Sequence, residues 1–384
     1  MSAPAPACPP KCAPGTHHGT PVSVPRRLVF QWHVTERCNL RCAHCYQGSY
    51  DSPELTFDQW LEVLAQLDAW LAQCQAANGR RPRLHLNLTG GEPFIHPDFL
   101  RLLEVLAARR DRLSFAILCN GHFIDAAMAR RLAPLRPDFV QVSIEGLEST
   151  HDGIRGKGSF ARTTSAIRHL RRAHIPVLVS FTAHQANYRE FPAVARLACR
   201  LRVTRLWADR LIPSGNDPES GPQPLSPAET REFLELMRAA RDAASRRWFN
   251  RTEVTLHRAL QFLTGHGLPY RCTAGESLLA LLPNGDLLPC RRLPIRIGNI
   301  LDTPLAHLYA TDPTLRALRE PDVSTKGCEG CSFHRLCRGG LRCLSHAIHG
   351  DPFASDPGCW LAAATGQSFE VPADGGTGEW SDAP

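Results

Sequence analysis

From residue 28 onwards, short apolar runs alternate with longer stretches whose apolar residues recur every three or four positions. The runs 28–34, 84–88, 114–119, 139–144, 177–182 and 205–208 read as buried strands. Between them, 57–74, 99–108, 126–132, 162–173 and 191–201 carry helical periodicity, and the third of these stops before Pro134. Short strands joined by helices pair in parallel, because each crossover returns the chain to the same end of the sheet. Six such units in about 180 residues predict an α/β fold, a partial (β/α)6 barrel related to the eightfold one.

The texture then changes. A Pro- and Gly-rich stretch at 213–227 leads into a helix at about 227–246. Past residue 265 helical periodicity fades and turn residues become dense. The runs 278–282 and 287–290 flank Pro283-Asn284-Gly285-Asp286 and predict a hairpin. The expected organisation is a flexible Pro-rich tail (1–25), a core domain (26–212), a linker with connecting helices (213–264), a turn- and cysteine-rich domain (265–365) and a disordered acidic tail (366–384). The βα alternation is the only internal repeat.

Composition narrows the class of function. A chain of 384 residues suits two domains, and 43% apolar with 21% charged residues excludes wholesale disorder. The net charge of +7 is weaker information: only three of the 44 basic residues are lysines, and the arginines are scattered along helical stretches. With aromatics at 7% and no basic stripe, no nucleic-acid partner is expected. No apolar run approaches the roughly 18 residues of a membrane span, and the N-terminus does not read as a secretory signal. A cytoplasmic protein is expected. In that reducing compartment the fifteen cysteines serve metals or catalysis rather than disulfides.

Three cysteines stand in Cys38-Asn39-Leu40-Arg41-Cys42-Ala43-His44-Cys45, directly after the first predicted strand and so at the mouth of the barrel. Three thiolates on a tight loop can hold three irons of a cubane and leave the fourth open to an exogenous chelator. A structural zinc site, with His44 as fourth ligand, is the alternative. The second strand runs into Thr89-Gly90-Gly91-Glu92-Pro93, where paired glycines allow close backbone approach to a ligand and Glu92 adds a carboxylate.

Together these motifs resemble the radical S-adenosylmethionine (radical SAM) superfamily over about residues 28–207. The resemblance rests on Cys38, Cys42 and Cys45, on Gly90-Gly91-Glu92-Pro93, on Val142-Ser143-Ile144-Glu145-Gly146 and on His151-Asp152-Gly153-Ile154-Arg155-Gly156. It implies a [4Fe-4S] cluster whose open iron is chelated by the amino and carboxylate groups of SAM. By the same resemblance Gly90, Gly91 and Glu92 meet the SAM amino group, Ser143 the ribose and Arg155 the SAM carboxylate. Asn120-Gly121 looks like the family's turn near adenosine, and Glu145 stands where many relatives carry Asp. The implied chemistry is reductive cleavage of SAM to methionine and a 5′-deoxyadenosyl radical that abstracts hydrogen from substrate.

Seven further thiols lie in the last third: Cys272, Cys290, Cys328, Cys331, Cys337, Cys343 and Cys359. They nearly fill two tetrathiolate clusters, although one or two zinc sites would use the same spacing. Downstream of such a core the pattern resembles the SPASM extension. That implies one or two auxiliary iron–sulfur clusters, with Cys328, Cys331, Cys337 and Cys359 on the distal one and Cys272 and Cys290 on the proximal one. The chain departs from the family at Leu341, where a cysteine is usual; the thiol stands instead at Cys343. Either the loop bulges so that Cys343 still ligates, or the proximal cluster is altered or has an open iron. His266 is a further candidate nitrogen ligand there. Cys74, Cys119 and Cys199 read as small apolar core residues, Cys8 and Cys12 as tail residues.

The expected function is a radical SAM/SPASM maturase acting on a peptide or protein side chain, by crosslinking or oxidation. The resemblance implies an electron donor such as flavodoxin or ferredoxin. Only about 27 residues precede the first strand, too few for a fused peptide-recognition domain, so a leader would need a separate recognition protein or the enzyme's own surfaces. Asp209, after the sixth strand, is a candidate catalytic acid or base. Radical SAM chemistry in small-molecule cofactor biosynthesis is the second reading. A non-catalytic metal-binding regulatory protein is the alternative of another class.

Overall fold

The computed structural model describes residues 25–213, 221–246, 248–265, 269–320 and 323–364. The expectations for most of the two tails, for His266 and for Cys8 and Cys12 lie outside the described residues.

The predicted alternation is present. Strand β1 (Arg27–His33) is followed by α1 (Phe57–Asn78), β2 (Arg83–Thr89), α2 (Phe99–Ala107), β3 (Leu113–Leu118), α3 (Ala126–Leu132) and β4 (Val140–Ser143). Two helices then come in succession, α4 (Glu148–Arg155) and α5 (Ser159–Arg172). They are followed by β5 (Val177–Ala183), α6 (Phe191–Arg200) and β6 (Arg205–Arg210). α4 was not expected, because its sequence Glu-Ser-Thr-His-Asp-Gly-Ile-Arg has only one aliphatic side chain and no apolar stripe. The linker helix α7 (Pro227–Ser245) starts in a capping box from Ser226 and Glu229.

The sheet runs further than six strands. β7 (Glu253–Val254) pairs in parallel with β6, and β8 (Leu278–Leu281) pairs in parallel with β1. The predicted hairpin is β8 with β9 (Asp286–Leu288), extended by β10 (Gly298–Asn299). The order is β10-β9-β8-β1-β2-β3-β4-β5-β6-β7, so the cysteine-rich segment is stitched onto the first strand of the core. Helical periodicity does not end at 265. Short helices α8 (Leu305–Thr311), α9 (Pro313–Arg319), α10 (His334–Cys337), α11 (Arg342–His349) and α12 (Trp360–Ala364) follow, each too brief to show a repeat.

Burial alternates along the strands. On β1, Leu28, Phe30 and Trp32 are buried, and Trp32 meets Trp60 of α1 edge-on at 6.3 Å between rings. The intervening positions, such as Gln31 on β1, Gln141 on β4 and Trp207 and Asp209 on β6, are half-buried and mostly polar. That polar face and the C-terminal strand ends define the mouth.

Candidate functional site

The three-cysteine loop is clamped between β1 and β2. Val34 donates to Thr89 O, Gly91 to Thr35 O at 2.8 Å and Glu92 to Arg37 O at 2.9 Å. A Cβ at Gly90 would run into Thr35 O, and one at Gly91 into the carbonyls of Glu36 and Arg37. The glycines therefore bring this turn against the cysteine loop; two of the amides expected to meet a ligand, those of Gly91 and Glu92, are bonded within the protein. On its far side the loop is held by Arg37 on Glu54, at 2.6 and 3.0 Å, and by the Gln47 side chain on Glu36 O. Ala43 donates to Ile154 O at 2.9 Å, tying the loop to α4.

The thiols have environments suited to metal. Leu40 N–H points at Cys38 Sγ (3.4 Å), and Arg155 Nη1 lies 3.9 Å from Cys42 Sγ. Burial pushes the Cys38 thiol up, as do Glu92 and the other two cysteines. For Cys42 burial acts the same way, with Arg155 favouring the thiolate. His44 is not a fourth ligand here: its Nε2 is 3.2 Å from Glu145 Oε1. Among the described residues no three His, Cys, Asp or Glu side chains converge on one metal ion. Three soft thiols with N–H and guanidinium donors fit an iron–sulfur cluster.

Beside the loop lies a buried charge system. Arg155 places Nη2 2.6 Å and Nε 3.2 Å from Glu145 Oε1, and Thr182 donates to Glu145 Oε2 at 2.8 Å. Burial works against the charged carboxylate, but Arg155 and His44 outweigh it and hold Glu145 well below the usual range. Two donors of Arg155 are thus taken by Glu145, and its Nη1 lies beside Cys42. Ser143 Oγ lies 3.1 Å from Ser180 Oγ on β5. Glu92 is enclosed, accepting from Asn120 N (2.7 Å) and Phe94 N (3.3 Å), and burial pushes its carboxyl up to about 7.

The other seven thiols form two groups. Cys328, Cys331, Cys337 and Cys359 line one cavity with Leu260, Phe262, Phe333 and Asp356. Burial and the neighbouring thiols push Cys328 up to about 12; for Cys337, burial and Asp356 lead. Cys343 sits with Cys272 and Cys290: burial raises its thiol, Arg292 opposes, and the two cysteines raise it further. Leu341 is 3% exposed in an apolar cluster with Leu344 and Ile212. Three left-handed residues, Arg338, Gly339 and Gly340, precede it, and Cys343 lies in the first turn of α11. Leu341 and Cys343 both lie in the apolar cluster that also holds Cys290, with Cys272 packed against it.

Asp209, expected as an acid or base, is an ion-pair partner instead. Arg292 Nη2 is 2.9 Å from its Oδ2. Burial opposes its charge, yet Arg292 and Arg258 prevail and lower it. Sequence reasoning missed Tyr46, Arg258, Arg291 and Arg292, and gave Glu145 no partner. Tyr46, next to Cys45, has its phenol raised by burial, with Arg291, Cys45, Arg292 and Cys290 also acting on it. It therefore stands between the first loop and the three-thiol group. Arg291 and Arg292 follow Cys290 directly, the one signal that could have marked them.

Comparison with known proteins fits this arrangement. A family model described as the radical SAM superfamily matches residues 32–198, and an iron-sulfur cluster-binding domain, SPASM, matches 272–332. The chain is 28% identical over 386 residues to pre-heme d1 synthase of Dinoroseobacter shibae, covering 92% of each chain. It is 27% identical to the AdoMet-dependent heme synthase of Methanosarcina barkeri (88% of this chain, 97% of that one). It is 29% identical to the mycofactocin maturase MftC of Mycobacterium ulcerans (82% of each). Among solved structures, Streptococcus suis SuiB bound to S-adenosylmethionine shares the fold at TM-score 0.69 and 15% identity, over 88% of this chain and 78% of that one. Native anSMEcpe with bound AdoMet does so at 0.67 and 19%, over 88% and 95%.

Proposed function

Because the chain belongs to the radical SAM superfamily and carries a SPASM domain, we propose that this enzyme removes hydrogen from a cofactor precursor of the tetrapyrrole class, lodged between the mouth of the core and the three-thiol group. The cofactors are S-adenosylmethionine and iron–sulfur clusters. A cluster held by Cys38, Cys42 and Cys45 would, with S-adenosylmethionine on its open iron, supply reductive cleavage of the C–S bond and a 5′-deoxyadenosyl radical.

The chain's own residues position this chemistry. Arg155, fixed by Glu145, places positive charge at Cys42 and steadies the thiolate loop. Glu92, enclosed beside Asn120, offers a carboxylate for the ammonium of S-adenosylmethionine, and Ser143 lies on the neighbouring strand end for the ribose. Cys328, Cys331, Cys337 and Cys359 would hold one auxiliary cluster. Cys272, Cys290 and Cys343 would supply three corners of a second. The observation that supports the substrate reading is similarity to the pre-heme d1 and heme synthases over 88–92% of this chain.

A second reading, maturation of a peptide side chain, is favoured by the match to MftC. The test is anaerobic turnover with dithionite. Reconstituted protein with S-adenosylmethionine and an iron porphyrin or precorrin-derived substrate should form 5′-deoxyadenosine and a tetrapyrrole product of altered mass. Product from a co-encoded short peptide, with none from tetrapyrroles, would replace the first reading with the second. A colourless, zinc-only protein that never forms 5′-deoxyadenosine would overturn both.

A further inference from the structure

We infer that Arg291, next to Arg292 in the chain, is a carboxylate-binding grip for the substrate, set between the first cysteine loop and the three-thiol group. The inference rests on the site proposed above and names the chemistry by which that site holds its substrate.

Arg291 is incompletely satisfied. Its side chain is 12% exposed, and its Nε is buried without a hydrogen-bond partner. The carboxylate beside it, Glu36, stands off at 3.8 Å, beyond hydrogen-bond distance, with its other oxygen on Ser52. Arg258 donates only to carbonyls, Ala208 O at 2.7 Å and His257 O at 3.1 Å, and lies over the Trp207 ring. Arg292 alone is matched, by Asp209. Leaving a buried guanidinium with unfilled donors is costly, and its planar fork suits a carboxylate above other anions of similar charge.

Position makes this a substrate site rather than a structural charge. Arg291 lies 5.1 Å from the ring of Tyr46, which follows Cys45, and its own amide follows Cys290 and meets Gln31 Oε1 on the polar face of β1. A carboxylate on Arg291 would set the register of a molecule spanning the two cysteine groups. Arg291, with no carboxylate at hydrogen-bond distance, and Arg258, which donates to carbonyls, favour a small polycarboxylate, such as a tetrapyrrole with several acid side chains, over a peptide with one terminal carboxylate.

The test is a binding titration on anaerobic holoprotein, reading coproporphyrin III fluorescence against the tetramethyl ester of the same porphyrin. The acid should bind at least about thirty-fold more tightly than the ester, and Arg291→Gln should remove that preference, as expected for loss of one partner of a buried charge pair. Iron content and S-adenosylmethionine binding of the variant should be unchanged, which separates the grip from a folding or cluster defect; Arg291→Lys should restore part of the preference. Equal binding of acid and ester, or a preference that survives in Arg291→Gln, would overturn the grip and leave the tetrapyrrole reading standing. If neither porphyrin binds, the tetrapyrrole reading falls, and a short peptide with a free C-terminus is compared with its amide. A free-acid preference lost in Arg291→Gln would then keep the grip for a peptide carboxylate, and its absence would overturn it.

Discussion

The two auxiliary thiol groups differ in what surrounds them. Cys328, Cys331, Cys337 and Cys359 supply four thiols in an apolar cavity whose rim reaches the surface, with Phe333 at 38% and Leu361 at 37% exposure. Cys272, Cys290 and Cys343 supply three, and their neighbours are Arg292 and Asp209 at the mouth. A complete thiol set needs nothing from outside, whereas an incomplete one among charges is poised to meet another molecule. The first group faces outward and the second faces the chemistry.

That contrast can be broken in order of size. Replacing Cys38, Cys42 and Cys45 together by Ala should abolish 5′-deoxyadenosine formation, a loss beyond about a thousand-fold. Iron should remain in both auxiliary groups; cleavage that survives would show that one of them does the work assigned to the loop. Next comes the ion pair between them. Arg210 holds Asp356 at 2.5 and 2.8 Å, with side chains 3% and 1% exposed. Asp356→Asn leaves the guanidinium buried without its charge partner, which should cost about 3–5 kcal/mol in denaturant unfolding; a cost under 1 kcal/mol would show that water reaches the pair.

Cys343→Ala should lower iron by about one cluster's worth and leave the four-thiol group loaded. Adding Leu341→Cys to that variant should not restore the iron if Cys343, in the first turn of α11, sets the ligand register. Restoration would mean that the loop rearranges to the usual family spacing. A smaller effect concerns the carboxylates of the mouth. Asp209 is lowered and stays charged, whereas Glu92 titrates near 7. An ammonium ligand needs Glu92 ionised, so S-adenosylmethionine should bind about ten-fold more tightly at pH 8 than at pH 6, a gain that Glu92→Gln flattens. The same raised value means that the ligand-free protein loses stability as pH rises from the ordinary carboxyl value of 4.5 through about 7. In Glu92→Gln that loss should disappear. The smallest effect is expected at Cys119, a buried core thiol: Cys119→Ala should leave iron content unchanged.

These contrasts were unevenly visible in the chain. The core strands and most helices lie within a few residues of their apolar periods, because each buries one face against its neighbour. α4 escaped because it buries only His151 and Ile154. The two-residue β7 and the pairing of β8 with β1 escaped because pairing between distant segments leaves no local repeat. The cysteines were legible as residues, since thiol spacing is itself the signal. Their partners were not: Arg291 and Arg292 are two arginines among many, and only the fold sets them between Cys45 and Cys290. Glu145 and Arg155, ten apart in sequence, became a charge pair through the turn into α4.

The Arg210–Asp356 pair also bears on assembly. Asp356 accepts from Leu341 N and Gly358 N as well as from Arg210, and a Cβ at Gly358 would run into the Arg210 guanidinium. Cys359 follows one residue later. The last thiol of the outward group is therefore delivered by a segment that can dock only once β6 has formed and presented Arg210. Loading of that metal site becomes a late event, a report that the core beneath it has already folded.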